Sequence, residues 1–348
     1  MATIGDVARR AGVSPMTVSR YINNSGYISQ ATRERVERAI AELGYVPNAL
    51  ARGLRFKQTR TIALIVTDIT NPFFTTLARG AEDAASEQGF NVIFCNTDED
   101  EAKEAEYLKM LLQKQVDGIL LVPAKCSGDS ISLLQSRSVP LVVLDRWVPG
   151  IRADVVRGDS EQGAYQLARH LLDLGHRRIA ILSGPPWVTT ATDRVAGYRR
   201  ALSEASLDVD ESLIFHDAFS QEGGYRMARL ALSRRPTPTA LLAGNNFIAV
   251  GAFRALQEAS LRVPDDMSLV AVDDLPLPIA MDPFLTVAAQ PAYEMGRRAT
   301  ELLLRGLMEG RSPDDEPTEI VLPVSMVVRR STGVPPPSAE SDGPVSAR

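Results

Sequence analysis

From residue 60 to residue 322, short apolar runs alternate with amphipathic stretches, and that alternation leaves few folds open. Residues 61–67 (TIALIVT), 91–96, 118–122, 139–144, 178–182, 240–243, 268–272 and 318–322 read as strands. Residues 74–88, the acidic stretch 98–106, and 161–174, 191–205, 248–259 and 293–308 read as helices or helix starts. Repeated βα units of this kind build parallel sheets with right-handed crossovers. The openings Arg60-Thr-Ile-Ala-Leu-Ile and Arg178-Ile-Ala-Ile-Leu echo each other. The length predicts two such sheets of roughly 110–130 residues each, the echo being a weak internal repeat, with a ligand cleft at the carboxyl ends of the strands, between the two lobes.

The chain has 348 residues, enough for two or three domains. No apolar run approaches the ~18 residues of a membrane helix, and the first ten residues lack the ~7–15-residue apolar core of a secretory signal. The expectation is therefore a cytoplasmic protein without a membrane partner. Cys95 and Cys126 have no CxxC spacing, which argues against a disulfide scaffold or a thiolate zinc site. Charge is uneven. Residues 1–60 carry ten Lys/Arg and four Asp/Glu; the remainder carries 28 basic and 39 acidic residues. A small basic module joined to an acidic body suits a partner rich in phosphate.

That basic module reads as three short helices. Thr3 and Asp6 form a capping box ahead of Ile4, Val7, Ala8 and Ala11, and Gly12 ends the first helix. Ser14-Pro15 starts a second helix over 15–22, with Val18 and Tyr21 or Ile22 inward. Ser29 caps a third over 30–43, with Val36, Ile40 and Leu43 inward and Gly44 after it. Two short helices around Gly12 fit a helix-turn-helix, whose second helix enters the major groove. That helix offers short hydroxyl donors for phosphates and Arg20, which can bond guanine O6 and N7 together.

Ile4-Gly5-Asp6-Val7-Ala8, Ala11-Gly12-Val13-Ser14, Thr17-Val18-Ser19-Arg20, Tyr45-Val46-Pro47-Asn48 and Ala49-Leu50-Ala51-Arg52-Gly53-Leu54-Arg55 resemble the headpiece of the lactose-repressor (LacI/GalR) family. The resemblance runs to about Arg330. It implies an all-α helix-turn-helix headpiece on an α/β body of two doubly wound lobes, like the periplasmic binding proteins. The boundaries it suggests are headpiece 1–46; hinge helix and linker 47–59; lobe 1 from 60–158 with 292–320; lobe 2 from 159–291 with 321–330; and a disordered tail 331–348. By the same resemblance, DNA is contacted by Thr3, Ser14, Pro15, Met16, Thr17, Ser19, Arg20, Asn23, Ser29, Tyr45, Asn48, Ala51, Leu54 and Arg55. Pro15 and Met16 stand at the base-reading pair. Leu54 stands at the wedge that enters the minor groove and kinks the duplex.

Polar residues just after strands or at loop and helix starts are the candidates for the cleft: Asn71, Asp145, Arg146, Arg194, Asn245, Asp273 and Gln290. A sugar hydroxyl both donates and accepts, so carboxylates, guanidinium groups and amides suit it. Phe73, Phe74 and Phe219 could cover the apolar face of a sugar ring. This set resembles that of ribose-binding proteins and the ribose-repressor branch. One departure is Asn246, where the family usually has aspartate. Restoring aspartate there is expected to leave sugar binding intact. The run 98–101 reads as a solvated helix start, and Asp273-Asp274 as one sugar ligand beside a solvated or capping residue.

Together these features predict a repressor acting as a homodimer on a pseudo-palindromic operator. Its operator affinity would be controlled by a monosaccharide, ribose or similar. No cofactor, metal ligand or catalytic residue is expected, and so no enzyme. The alternatives are a purine- or phosphosugar-responsive regulator of the same family and, in another class, a sugar-binding transport protein.

Overall fold

A computed structural model describes residues 2–23, 25–46, 58–125, 128–275, 283–310 and 315–337. It divides the chain into two compact units, 1–59 and 60–348. The hinge expected over 48–56, with Asn48, Ala51, Leu54 and Arg55, lies outside the described residues, as do Cys126 and 338–348.

In the first unit the helices are Ile4–Ala11, Pro15–Ile22 and Gln30–Leu43. The expected caps are present. Thr3 and Asp6 close a capping box, Ser14 accepts from Thr17 N–H, and Ser29 accepts from Thr32 N–H. Gly12 and Gly44 end helices in the left-handed conformation, where glycine carries no Cβ penalty. Val7, Ala8, Ala11, Val18, Val36 and Ala39 form the core. One expectation fails here. Leu43 is exposed and Ala39 takes the inward place, because the last turn of the third helix runs past the small core.

The second unit holds two six-stranded sheets. One has the order β11-β5-β4-β3-β1-β2, with β1 Thr61–Val66, β2 Asn91–Asn96, β3 Gly118–Leu121, β4 Leu141–Leu144, β5 Asp154–Gly158 and β11 Glu319–Leu322. The other has the order β12-β10-β9-β8-β6-β7, with β6 Ile179–Ser183, β7 Ile214–His216, β8 Ala240–Ala243, β9 Ser268–Val272, β10 Thr286–Ala289 and β12 Ser325–Val327. All pairings are parallel except β10 with β12. The two orders match strand for strand, β1 with β6 and β4 with β9. Strands buried on both faces explain the unbroken apolar runs, such as Ile62–Val66.

Three segments cross between the lobes: after β5, after β10 and after β11. The last crossing differs from expectation. β11 pairs with β5 through Leu322, so the chain leaves lobe 1 after Leu322 and not at 320. The tail differs too. Ser331 is fully buried, its hydroxyl accepting from Thr286 N–H and its backbone oxygen from Leu269 N–H. Gly333 O meets the buried His176 ring at 3.0 Å. Residues 331–333 are thus packed onto lobe 2 and are not a disordered tail.

Helices pack as pairs through glycine. A Cβ on Gly80 would stand 2.0 Å from Tyr293 O, and one on Gly296 2.0 Å from Leu77 O. Helices 72–87 and 292–309 therefore touch backbone to backbone. A Cβ on Gly251 would stand 1.8 Å from Gln221 O and one on Gly224 2.2 Å from Ile248 O, so helices 221–232 and 246–258 join in the same way. Among the described residues, no helix is long and apolar enough to cross a membrane.

Candidate functional site

The cleft between the lobes is narrow, about 30 Å³ in volume, well below the roughly 300–1,000 Å³ of open small-molecule sites. Nine of the ten expected residues line it: Asn71, Phe73, Phe74, Asp145, Arg146, Arg194, Phe219, Asn245 and Asp273. Gln290 stands behind them. Its amide donates to Asp273 Oδ1 at 2.8 Å while the residue itself borders a wider neighbouring cleft. Asp68, Glu99 and Thr190 also line the site and were missed by the sequence reading.

Strand ends place these side chains. Asn71 and Asn245 are N-caps, accepting from Phe73 N–H and Ile248 N–H, so each is fixed by its own helix start. Asp145 follows β4 and Asp273 follows β9, the matching strand of the other lobe. Both have positive φ, 63° and 66°, and both donate their backbone N–H to the neighbouring strand, at Val156 O and Ala288 O. A left-handed backbone in a residue other than glycine marks a position held by its surroundings. Here it turns two carboxylates into one cleft.

Arg194 Nη1 donates to Gly244 O at 2.7 Å, and Nη2 lies 4.0 Å from Asp273 Oδ2. Arg146 is clasped by Glu99, with Nη1 to Oε2 at 2.7 Å and Nη2 to Oε1 at 2.6 Å, and it also donates to Pro123 O. Phe219 lies under both guanidinium groups, 5.7 Å from that of Arg194 and 5.9 Å from that of Arg146. It fits there because Gly184 has no Cβ, which would stand 2.1 Å from the ring. Phe73 and Phe74 meet edge to face at 5.0 Å.

Asp145, Arg146, Arg194 and Asp273 are all more than nine-tenths buried. Burial pushes the Asp145 carboxyl up against the pull of Arg194 and Arg146. Burial likewise pushes Asp273 up to about 6, opposed by Arg194 and Gln290. Asp145 Oδ1 and Arg194 Nε are buried without a hydrogen-bond partner. Such groups are destabilising unless something satisfies them.

One sequence expectation needs correction. The run 98–101 is not simply a solvated helix start. Asp100 caps the helix, Asp98 pairs with Lys103, and Glu99 turns inward to Arg146. Asn246, where the resemblance makes aspartate usual, is held inside the protein. It is fully buried and exchanges two hydrogen bonds with Asn71. Asp274 takes a structural role, pairing with Arg329 through both carboxylate oxygens. Among the described residues, no cluster of side chains could hold a metal ion.

In the first unit, Ser14, Pro15, Met16, Arg20 and Ser29 are exposed, and Thr17, Ser19, Asn23 and Tyr45 are half-buried. Thr3, Ser14 and Ser29 already serve as caps, and the Asn23 amide donates to Ser19 O. Met16 and Arg20 are the long side chains of the second helix left facing solvent.

Residues 3–48 match the family model described as bacterial regulatory proteins, lacI family. Residues 59–326 match that of periplasmic binding proteins and the sugar binding domain of the LacI family. The chain is 41% identical to the HTH-type transcriptional regulator DegA of Bacillus subtilis, over 95% of this chain and 98% of that one. It is 39% identical to the ribose operon repressor of Escherichia coli K12, over 89% and 94%. It superposes with a TM-score of 0.84 on the lac repressor dimer bound to operator and an anti-inducer, at 30% identity over 95% and 99%.

Proposed function

Because the chain belongs to the lacI family of bacterial regulatory proteins, a family of non-enzymatic DNA-binding transcriptional repressors, we propose that a small uncharged sugar sets its hold on DNA. The effector is a monosaccharide, D-ribose or a close pentose, bound between the lobes. A homodimer binds a pseudo-palindromic operator. One observation carries this reading. Nine residues from separate segments, chosen for the chemistry of a sugar, line a single buried cleft in which Asp145 Oδ1 and Arg194 Nε lack partners. Sugar hydroxyls can donate to the first and accept from the second, and the phenylalanines supply apolar faces. The similarity to a ribose operon repressor supports the same ligand.

Isothermal calorimetry with D-ribose tests it, with D-ribose 5-phosphate and guanine as contrasts. Heat from either contrast and none from D-ribose would transfer the assignment to that ligand. On the DNA side, Arg20→Ala should weaken operator binding by ~1–3 kcal/mol per half-site and relax preference at one base pair. A binding-site selection that returns unchanged base preference would remove Arg20 from base reading.

The carboxyl of Asp273 adds a pH signature. Its folded value of about 6 lies above the ordinary aspartate value of ~3.9. The folded chain therefore binds more protons than the unfolded one between these values. Without effector, this group contributes stability below about pH 4 that is lost as pH rises toward 6. A sugar hydroxyl donating to Asp273 favours the ionised form, so binding near pH 6 should release a proton. D-ribose affinity should rise with pH up to about 7 and then level. Calorimetry at pH 6 in two buffers of unlike ionisation heat reads the proton directly; equal heats would exclude the carboxylate from the contact.

A further inference from the structure

We propose that Asn246 is a positioning residue for the effector: its amide clasps that of Asn71 across the cleft, orients Asn71 and favours closed lobes before any sugar binds. The proposal rests on the effector reading only through the role given to Asn71. The clasp is reciprocal. Asn71 Nδ2 donates to Asn246 Oδ1 at 3.1 Å, and Asn246 Nδ2 donates to Asn71 Oδ1 at 3.0 Å. Asn71 caps helix 72–87 of lobe 1, and Asn246 is the first residue of helix 246–258 of lobe 2. Both side chains are buried, Asn246 completely.

Each amide is also held from its own side. Asn71 Oδ1 accepts from Phe73 N–H at 3.0 Å, and Asn246 Oδ1 accepts from Phe247 N–H at 2.7 Å. These backbone donors require an oxygen facing them, which settles which end of each amide is which. Asn246 Nδ2 donates again to Asp274 O at 3.3 Å. Asn246 thus spends both N–H groups and both acceptor sites inside the protein, and it does not line the cleft. Its effect on a ligand passes through Asn71, which does.

An aspartate at 246 would keep the shape and the bonds to Phe247 N–H and Asn71 Nδ2. Its second oxygen, however, would face Asn71 Oδ1 and Asp274 O, an acceptor against two acceptors. Opening the cleft relieves the conflict with Asn71, which lies on the other lobe, while Asp274 O stays on the same lobe as residue 246; a carboxylate at a helix N-terminus is then well placed. An isosteric change is therefore expected to open the lobes without unfolding them. A role in packing alone predicts no such change.

The protein carries its own reporter. Trp147 of lobe 1 donates its indole N–H to Asp193 of lobe 2 at 3.2 Å, and Thr189 of lobe 2 donates to Trp147 O at 2.9 Å. The other tryptophan, Trp187, is exposed and can be removed as Trp187→Phe. In that background, at about pH 8 where a carboxylate is ionised, Asn246→Asp should shift the Trp147 emission of the ligand-free protein to the red. Acrylamide quenching should rise at least twofold. D-ribose affinity should fall at least tenfold, and saturating D-ribose should return the emission toward that of the parent. Asn246→Ala, which removes the clasp without adding facing acceptors, should fall between the two. Unchanged emission and quenching in both variants would overturn the clasp. If the parent itself does not bind D-ribose, the sugar assignment fails, while the ligand-free emission still decides the clasp.

Discussion

Arg194→Ala should lower D-ribose affinity at least a hundredfold while leaving operator binding in the absence of sugar unchanged. Arg194 is the cation nearest Asp273, at 4.0 Å, it counters the burial of Asp145, and its ring partner is Phe219. Removing one partner from a buried charged set costs roughly 3–5 kcal/mol, because what remains is uncompensated. Part of that loss is relieved by protonation of the carboxyls, but a protonated Asp273 is a weaker acceptor than its carboxylate. Gly244 O also loses its donor, so the turn before Asn245 loosens. Calorimetry gives the affinity. A gel-shift titration with operator, with and without sugar, should show a variant whose DNA binding no longer responds. A D-ribose affinity within tenfold of the parent would end the assignment of Arg194 to the cleft.

The second large effect lies outside the cleft. Gly251→Ala should destabilise the body by at least about 3 kcal/mol, at the upper end of what overpacking does. The new methyl would meet Gln221 O at 1.8 Å and Tyr225 N at 2.6 Å, and both atoms are backbone inside a helix. Neither can swing away, so the two helices must separate along their length, and Gly224 against Ile248 O opens with them. At ~2–4 °C per kcal/mol for a body of this size, melting should fall by about 6–12 °C. Gly5→Ala is the control. It too is helical, but its nearest contact would be Thr3 Oγ1 at 3.6 Å, so loss of glycine's backbone entropy should make it neutral or mildly stabilising. Equal melting shifts in the two variants would show that helix contact is not the cause.

The parts of this fold that were legible are those where pattern and burial agree. β1, β8 and β9 are continuous apolar runs buried on both faces, and the headpiece helices carry their caps and stop glycines in plain view. β5 was missed because Asp154 and Arg157 interrupt it. Asp154 bonds to Thr318 N–H and Arg157 to Glu319, contacts made by a strand that arrives 160 residues later. Helix 221–232 was missed because Gly223 and Gly224 look like breakers. They are the contact surface of a helix pair, which only the partner helix reveals. The cleft residues were legible because strand ends collect ligands. Glu99 was not, since nothing in Asp-Glu-Asp-Glu marks which carboxylate turns inward. The choice is made by positive φ at both Asp98 and Glu99 and by a guanidinium from the loop after the distant strand β4.

Asp145 and Asp273 occupy one topological position twice, each in the same left-handed conformation after the matching strand of its lobe. On the proposed effector reading, recognition would be divided into two votes, one cast by each half of the body. A compound whose hydroxyls reach both carboxylates would hold the halves together. One that satisfies a single carboxylate can occupy the cleft and leave the other half where it was. Such a molecule would compete with the effector for the cleft without delivering its message. Affinity and signal would then be separable quantities, set by how many of the two votes a ligand collects.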